Sequence, residues 1–248
     1  MNATLYENEH IEYLSEKTPV IVSDEHTFGT DALLLASFAS PKSNDVICDL
    51  GAGCGIIPFI FLRDGNRKIT AVEIQENACD QIKRSVEMNN AEDKITLINS
   101  DLKELDFASL NGRFSLVTMN PPYTKAQGGI ESEKKSEKIA RHETMCDISD
   151  VALCASKILK YGGRLCVCGR PERLFETMKA LSDKKIEPKR LRMVQKNTKS
   201  APWLFLLEGR LGGKSGMTVS SPLYIENDDG EESDELLSIL GKYREETV

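Results

Sequence analysis

Short apolar runs alternate with longer helix-like stretches from residue 45 onward, and this alternation constrains the fold more than any other feature. Five of the runs are predicted to be buried strands, at residues 46–50, 69–74, 95–98, 114–119 and 164–168. After the second run, Ala78, Ile82 and Val86 recur four positions apart, which is the spacing of one face of an α-helix. Strands separated by helices in this way form a parallel sheet with helices on both faces. The sequence therefore predicts an α/β fold.

The residues before this alternation are predicted to pack on it. Residues 6–23 have the pattern of a small strand pair, and residues 30–38 have that of a short helix. With 248 residues the chain has room for one large α/β domain or two small ones, and no linker long enough to separate two domains stands out. We expect one domain overall, with residues 1–44 as an N-terminal extension on a core of residues 45–248.

The last third of the chain departs from the alternation. Residues 203–208 and 217–225 are strand-like, and the glycine-rich residues 209–216 join them. Two such runs around a glycine-rich connection predict an antiparallel hairpin. A short helix is expected near residues 235–243.

The composition argues against a membrane, disulfide or metal protein. The longest apolar stretches fall far short of the ~20 residues that cross a bilayer, and the N-terminus has no basic segment leading into an apolar one. Seven cysteines occur without a Cys-x-x-Cys pair, and the three histidines are scattered, so neither a disulfide framework nor a metal-ligand spacing is evident. We expect a cytoplasmic protein with reduced thiols, no bound metal and no membrane contact.

The charge is distributed unevenly along the chain. Seven of the 39 acidic residues lie in residues 226–235, which leaves as many acids elsewhere as there are basic residues, 32. Residues 184–199 carry seven basic residues against one acid. Such a run is either a solvated surface or a contact for an RNA backbone, and the second interpretation depends on the active site also calling for RNA.

A glycine-rich turn follows the first strand of the alternation. Residues 49–55 read Asp-Leu-Gly-Ala-Gly-Cys-Gly, and glycines there permit a tight turn and let a ligand approach the backbone. Glu73 ends the second predicted strand, 22 residues after Gly51, where an acid can accept hydrogen bonds from both hydroxyls of a ribose. The turn and the acid together predict a nucleotide-like cofactor.

Three features favour S-adenosylmethionine over a nicotinamide cofactor. The glycines are spaced Gly-x-Gly-x-Gly, whereas dinucleotide sites use Gly-x-Gly-x-x-Gly. Asp49, just before them, suits a ligand with a positively charged amino-acid moiety. Asp101 follows the third strand, where its side chain can accept a hydrogen bond from an adenine amino group, although an acid there can also serve only as a helix cap.

Asn120-Pro121-Pro122-Tyr123 directly follows the fourth predicted strand, beside the cofactor crevice. Two prolines fix φ and remove two N–H donors, which leaves a rigid face of carbonyl oxygens. The side-chain oxygen of Asn120 and the carbonyl of Pro121 can both accept from one planar –NH₂ group, which aims the nitrogen lone pair at a methyl donor and offsets the developing charge. Tyr123 offers an aromatic face for an extruded base. The tetrapeptide therefore predicts methylation of an amino nitrogen.

The glycine turn and the tetrapeptide together resemble those of class I methyltransferases that act on exocyclic or amide nitrogens. Residues 28–35 (Phe-Gly-Thr-Asp-Ala-Leu-Leu-Leu) and 139–143 (Ile-Ala-Arg-His-Glu) further resemble the tRNA1(Val) adenine-37 N6-methyltransferase family. This resemblance implies a Rossmann-like class I fold, with a mostly parallel seven-stranded sheet and a C-terminal antiparallel hairpin. It also implies N6-methylation of an adenine in the anticodon loop of tRNA, with S-adenosylmethionine as the methyl donor and tRNA as the partner.

The resemblance adds residues to those chosen on their chemistry. It implies that Phe28, Gly29 and Thr30 line the cofactor pocket and that Arg141 and His142 lie near the substrate entrance. The expected catalytic residues are Asn120, Pro121, Pro122 and Tyr123. The expected cofactor residues are Phe28, Gly29, Thr30, Asp49, Gly51, Ala52, Gly53, Gly55, Glu73, Ile74, Asp101, Leu102 and Asn120. The expected substrate residues are Tyr123, Arg141, His142, Lys189, Arg190 and Arg192.

Other amino-group methyltransferases stay open as alternatives. A protein glutamine-amide N5-methyltransferase would present a planar –NH₂ to the same tetrapeptide, but such enzymes carry a helical recognition domain where only some 44 residues precede the first strand here. An rRNA or DNA amino methyltransferase is the other enzymatic alternative. From a different class, the chain could be a non-catalytic scaffold that binds S-adenosylmethionine or RNA, against which the intact tetrapeptide argues.

Overall fold

The computed structural model describes residues 4–65, 67–121 and 146–244. Within these residues, short 3₁₀ turns at Leu102–Glu104 and Pro171–Arg173 accompany eleven strands and seven α-helices. The strands are β1 (Glu9–Tyr13), β2 (Pro19–Ser23), β3 (Val46–Leu50), β4 (Lys68–Glu73), β5 (Ile95–Asn99), β6 (Phe114–Met119), β7 (Leu159–Gly169), β8 (Ile186–Gln195), β9 (Pro202–Leu211), β10 (Thr218–Val219) and β11 (Leu223–Tyr224). The helices are α1 (Thr30–Ala39), α2 (Ile56–Arg63), α3 (Glu76–Met88), α4 (Phe107–Leu110), α5 (Ile148–Ile158), α6 (Leu174–Asp183) and α7 (Asp234–Arg244).

The predicted parallel sheet is the centre of the molecule. In the described part of the chain the strand order is β10-β8-β9-β7-β6-β3-β4-β5, with β11 beside β8. The neighbours from β5 to β7 are all parallel, and β9 runs antiparallel to both β7 and β8. The predicted fold class is therefore confirmed: a mostly parallel sheet of seven long strands that ends in an antiparallel hairpin.

Helices cover both faces of this sheet because successive strand residues point to opposite sides. In β3, Ile47 belongs to the apolar cluster that contains buried residues of α1, α2 and α3, whereas Cys48 belongs to the cluster of α5 and α6. β6 repeats this division at Leu116 and Val117, which are both fully buried. Two apolar cores of this kind leave the carboxyl edge of the strands as the place where a ligand can approach.

The N-terminal strand pair packs on α3. β1 and β2 form an antiparallel hairpin, and the backbone N–H of Ile21 donates to Ser85 Oγ at 2.9 Å. Arg84 Nη2 and Glu9 Oε1 form an ion pair at 2.6 Å, in which the hydrogen bonds from Arg84 hold the pKa of Glu9 at about 2. The division into an extension and a core at residue 45 stays a prediction.

The predicted strand pairing of the C-terminal hairpin is wrong. Residues 203–208 do form a strand, within β9, but β9 pairs with β8 and not with residues 217–225. The latter contain only the two-residue strands β10 and β11, which lie parallel to β8 on its outer edge. β8 is hard to recognise in the sequence because its buried and partly exposed residues do not alternate strictly. Register shifts occur at Pro188 and Gln195, and the buried residues recur about every third position.

No helix in the described ranges is long and apolar enough to cross a membrane. The longest is α3, which has 13 residues.

Candidate active site

The carboxyl ends of β3, β4, β5 and β6 surround a cleft of about 370 Å³. Parallel strands end at the same edge of a sheet, so the residues that follow them gather at this cleft. Of the residues expected to be catalytic or to bind the cofactor, those that line the cleft are Phe28, Gly29, Asp49, Gly51, Ala52, Gly53, Glu73, Ile74, Asp101, Leu102, Asn120 and Pro121. The cleft is therefore the candidate active site.

Thr30 and Gly55 are absent from this lining. Thr30 is the first residue of α1, directly after Gly29. Gly55 precedes α2 with a φ of +86°, and a Cβ there would lie only 3.0 Å from the Phe59 ring and 3.1 Å from Ile82. Only glycine satisfies both the backbone conformation and this close packing. Gly55 thus has a structural role: its left-handed backbone conformation allows α2 to start directly after the glycine turn.

Glu73 connects the strand β4 to the glycine turn. Its Oε2 accepts a hydrogen bond from the backbone N–H of Gly53 at 2.8 Å, and its Oε1 accepts from those of Ile74 and Gln75 at 2.9 and 2.8 Å. These three hydrogen bonds fix the orientation of the carboxylate, which is only 4% exposed at the floor of the cleft. A carboxylate has about four acceptor positions, so this one retains capacity for a ligand hydroxyl.

Asp49 is a buried acid inside β3 that accepts a hydrogen bond from a neutral side chain. Thr118 Oγ1 donates to Asp49 Oδ1 at 2.5 Å across the parallel pair of β3 and β6. Burial raises the pKa of Asp49 to about 7, against the opposing effect of the Thr118 hydrogen bond, and the charge of Glu73 adds to the rise. A positively charged ligand group nearby would stabilise the ionised form. The acid therefore fits a cofactor with a cationic amino-acid part.

Asp101 caps the 3₁₀ turn that follows β5. Its Oδ1 accepts from the backbone N–H of Lys103 at 2.9 Å, and Lys103 Nζ lies 3.6 Å from Oδ2. The capping role considered for this acid is therefore real. Asp101 also lines the cleft, and its contact with an adenine amino group stays a prediction.

Asn120 follows β6 at the rim of the cleft. Cys168 Sγ, at the end of the neighbouring strand β7, donates a hydrogen bond to Asn120 Oδ1 at 3.1 Å. Pro121 lines the cleft beside Asn120. The other expected catalytic and substrate residues of this region, Pro122, Tyr123, Arg141 and His142, lie outside the described residues.

Comparison with known proteins agrees with this geometry. The family model described as the methyltransferase small domain matches residues 15–181, more than half of the chain. The chain belongs to the methyltransferase small domain family. This membership confirms the methyltransferase class predicted from the sequence and, with it, S-adenosylmethionine as the cofactor.

Among curated relatives, this methyltransferase is similar to proteins named tRNA1(Val) (adenine(37)-N6)-methyltransferase. The one from Escherichia fergusonii is 28% identical over 141 residues, which is 56% of each chain. The one from Dyadobacter fermentans is 32% identical over 136 residues, which is 54% of this chain and 55% of the relative. The match thus spans just over half the length of these relatives.

A solved structure supports the fold of the methyltransferase. The crystal structure of a protein described as a predicted O-methyltransferase from Agrobacterium tumefaciens has a TM-score of 0.65, at 19% sequence identity, over 86% of this chain and 96% of that chain. At this identity the similarity concerns the fold alone.

The basic residues expected to contact RNA lie on β8 of this methyltransferase. Lys189 Nζ donates to two carbonyl oxygens of the connection between β9 and β10. Arg190 Nη2 lies 3.0 Å from Glu208 Oε2, and Arg192 holds both carboxylate oxygens of Glu235 at 2.5 and 2.7 Å. Each of the three cations therefore has a partner inside the chain. Their role in RNA binding stays a prediction.

Two residues of the methyltransferase site escape sequence reasoning. Thr118 and Cys168 contact Asp49 and Asn120, and each lies on the strand next to its partner. Only the register between the strands reveals these contacts. In the described ranges no group of three histidine, cysteine or acidic residues is arranged to hold a metal ion.

Proposed function

We propose that this methyltransferase transfers a methyl group from S-adenosylmethionine to the exocyclic N6 of an adenine in tRNA. By similarity to the curated relatives, the proposed target is adenine 37 in the anticodon loop of tRNA1(Val). The observation that carries the proposal is the position of Asn120 and Pro121 on the same cleft as the glycine turn, Asp49 and Glu73. A cleft of this kind brings an amino group and a methyl donor together.

We assign the cofactor to the residues that end β3, β4 and β5. Asp49 would bind the cationic amino-acid part, Glu73 a ribose hydroxyl and Asp101 the adenine amino group. Gly53 supports this assignment, because a Cβ at this position would meet no atom within 4 Å, so there is room for a ligand beside the backbone. The bound cofactor supplies an electrophilic methyl group.

We assign the target amino group to Asn120 and Pro121. The carboxamide oxygen of Asn120 and the carbonyl oxygen of Pro121 accept hydrogen bonds from the two N–H bonds, which orients the nitrogen lone pair toward the cofactor. As the nitrogen becomes positive, these two acceptors stabilise the charge, and the proton leaves after the transfer. No nucleophilic side chain is needed. Tyr123 is proposed to stack on the extruded base, and Arg141 and His142 to line the substrate entrance.

Methyl transfer to tRNA tests the proposal directly. The protein is incubated with labelled S-adenosylmethionine and tRNA from a strain that lacks the gene, and the modified nucleosides are mapped by mass spectrometry. We expect N6-methyladenosine in the anticodon loop, and product formation by the Asn120→Ala variant should be slower by about 100-fold or more. Label in a glutamine-containing protein instead of tRNA would favour the glutamine-amide alternative, and label in neither would contradict both. A tRNA substrate also agrees with the cytoplasmic location expected from the sequence.

A further inference from the structure

The contact between Cys168 and Asn120 is unexpected for a cysteine in a strand. Cys168 is 2% exposed, so burial alone would suggest an inert apolar residue. Its Sγ nevertheless donates to Asn120 Oδ1 at 3.1 Å, within the range for a hydrogen bond that involves sulfur. The oxygen that it contacts is the one assigned above to the target amino group. The thiol is therefore part of the surroundings of the reacting nitrogen.

The register of β6 and β7 produces this contact. The two strands are parallel, with Thr118 opposite Cys166 and Met119 opposite Val167. One step further along both strands brings Asn120 beside Cys168. Residues two apart in a strand point to the same face, so Cys168 and Cys166 lie on the face that α1 covers. The contact between Cys168 and Asn120 thus follows from the register of the two strands.

We propose that Cys168 positions the carboxamide of Asn120 for methyl transfer. The inference rests on the proposed function of Asn120. A carboxamide after the end of a strand can rotate about two side-chain bonds, and a donor on one side of Oδ1 restricts that rotation. A carboxamide oxygen has two lone pairs, so it can accept from a thiol and from an amino group at the same time. Cys168 contacts the catalytic residue and has no assigned contact with the substrate, so it is a positioning residue.

A second pair on the same face follows the same design. Two residues before Asn120, Thr118 Oγ1 donates to Asp49 Oδ1 at 2.5 Å, again between neighbouring parallel strands. In each pair a small donor in the sheet contacts a polar residue that lines the cleft. The cofactor acid and the catalytic amide are thus held by the same framework. In both Asp49 and Asn120, the Oδ1 atom accepts a hydrogen bond from the neighbouring strand.

Cys166 offers a matched control for this role. It is also fully buried on β7 and points to the same face, but its neighbour across β6 is Thr118 instead of Asn120. Alanine at either position removes one buried sulfur. Serine at position 168 keeps a donor beside Asn120, whereas serine at position 166 places a hydroxyl among core residues.

The experiment compares Cys168→Ala, Cys168→Ser, Cys166→Ala and Cys166→Ser in steady-state methylation of tRNA. Calorimetry with S-adenosylmethionine and thermal unfolding are measured for each variant. We expect Cys168→Ala to lower kcat about three- to tenfold, the size expected for one hydrogen bond, with unchanged cofactor affinity. Cys168→Ser should recover most of the loss. The two Cys166 variants should keep the wild-type kcat, even where their melting temperature falls.

The possible outcomes separate this inference from the proposed function. If the wild-type protein methylates tRNA but Cys168→Ala has the same kcat as Cys166→Ala, the positioning role is overturned alone. The same holds if serine at position 168 is no better than alanine, because a donor would then be irrelevant. A wild-type protein that transfers no methyl group to tRNA would overturn the proposed function and this inference with it.

Discussion

Two aspartates at the two ends of β3 differ in almost every respect except burial. Asp45 immediately precedes the strand and is 8% exposed, and Asp49 lies within it and is 1% exposed. Asp45 is at the amino edge of the sheet, where a cation of the chain neutralises it. Asp49 faces the cleft at the carboxyl edge, where its hydrogen bond comes from the uncharged Thr118.

The surroundings of Asp45 make its charge a structural one. Burial alone would raise the pKa of Asp45, but Ser115, the backbone N–H of Lys42 and the Arg164 guanidinium together lower it below its usual value. Arg164 Nη2 lies 3.0 Å from Asp45 Oδ2, and its Nη1 lies 3.4 Å from Glu208 Oε2. At this edge the charge of Arg164 thus offsets those of Asp45 and Glu208.

Asp49 shows the opposite balance, since burial raises its pKa to about 7. A buried acid held in this state costs stability, and a protein retains such a residue where a ligand can supply the missing charge. The fold therefore pairs buried carboxylates with a cation at the amino edge of the sheet, whereas at the carboxyl edge the hydrogen bond to Asp49 comes from a neutral donor. Each prediction below tests that division.

The largest expected effect is on stability, from the Arg164→Met substitution. This change removes the cation shared by Asp45 and Glu208 and leaves two buried carboxylates with fewer partners. We expect the free energy of unfolding to fall by about 3 to 5 kcal/mol, as measured by urea denaturation. Cofactor affinity should not change at temperatures where the variant is folded.

Arg173→Ala is the matched control for that prediction. Arg173 and Glu176 form an ion pair at 2.8 Å with both side chains about half exposed. Losing an exposed pair of this kind costs less than about 1 kcal/mol. If Arg164→Met cost no more than Arg173→Ala, or if it weakened cofactor binding, the amino edge would not be the purely structural end of the sheet.

Asn120→Ala should have the next largest effect, and it should be a loss of rate. Removing an acceptor of the developing charge is expected to lower kcat about 100-fold or more, which corresponds to roughly 3 kcal/mol of transition-state stabilisation. Because Asn120 lies at the rim of the cleft, unfolding and S-adenosylmethionine affinity should change little. Single-turnover methylation of tRNA together with calorimetry checks both parts. Full activity in this variant would exclude the assigned role.

The division between the two edges was only partly predictable from the sequence. The strands, the glycine turn and Glu73 follow from local patterns, since apolar runs and glycines act on their own neighbourhood. The two aspartates look alike at that level. What separates them is Arg164, 119 residues from Asp45, and Thr118, 69 residues from Asp49, so the difference depends on strand register.

The same limit explains the wrong hairpin and the missed thiol. β8 carries Arg190 and Arg192 among its apolar residues, and the sequence suggests a charged surface because their partners, Glu208 and Glu235, are distant along the chain. Cys168 resembles an ordinary core cysteine until β6 and β7 are aligned. Contacts between residues far apart along the chain decided these cases, and no local pattern encodes them.

Glu73→Ala should weaken cofactor binding about 10- to 100-fold, the range for hydrogen bonds to a charged group. Glu73 holds the backbone N–H groups of Gly53 and Gln75, so its loss also loosens the glycine turn. Calorimetry with S-adenosylmethionine measures the change. Glu76→Ala is the control, since Glu76 is a neighbouring acid that is exposed at the start of α3. Equal affinity in the two variants would remove Glu73 from the cofactor site.

The smallest expected effect is a pH dependence that belongs to Asp49. With a pKa of about 7, this acid is mostly protonated at pH 6 and mostly ionised at pH 8. A cationic ligand prefers the ionised form, so S-adenosylmethionine affinity should rise about tenfold between these two pH values. Asp49→Asn keeps an acceptor for Thr118 but cannot ionise, and its affinity should be lower at pH 8 and lack this increase. If the variant kept the full increase, the titration would belong to another group, such as the amino group of the ligand.

Stability without ligand should change in the opposite direction. The pKa of Asp49 is higher in the folded protein than in the unfolded chain, so between about pH 4 and 7 only the folded state retains the proton. The contribution of Asp49 to stability is therefore complete below that range and is lost as the pH rises through 7. Asp49→Asn has no such loss, so its advantage in urea denaturation over the wild type should be larger at pH 8 than at pH 5. If the difference in stability between the two proteins were the same at both pH values, Asp49 would already be ionised without a ligand. Its charge would then have a partner inside the chain, as the charge of Asp45 has.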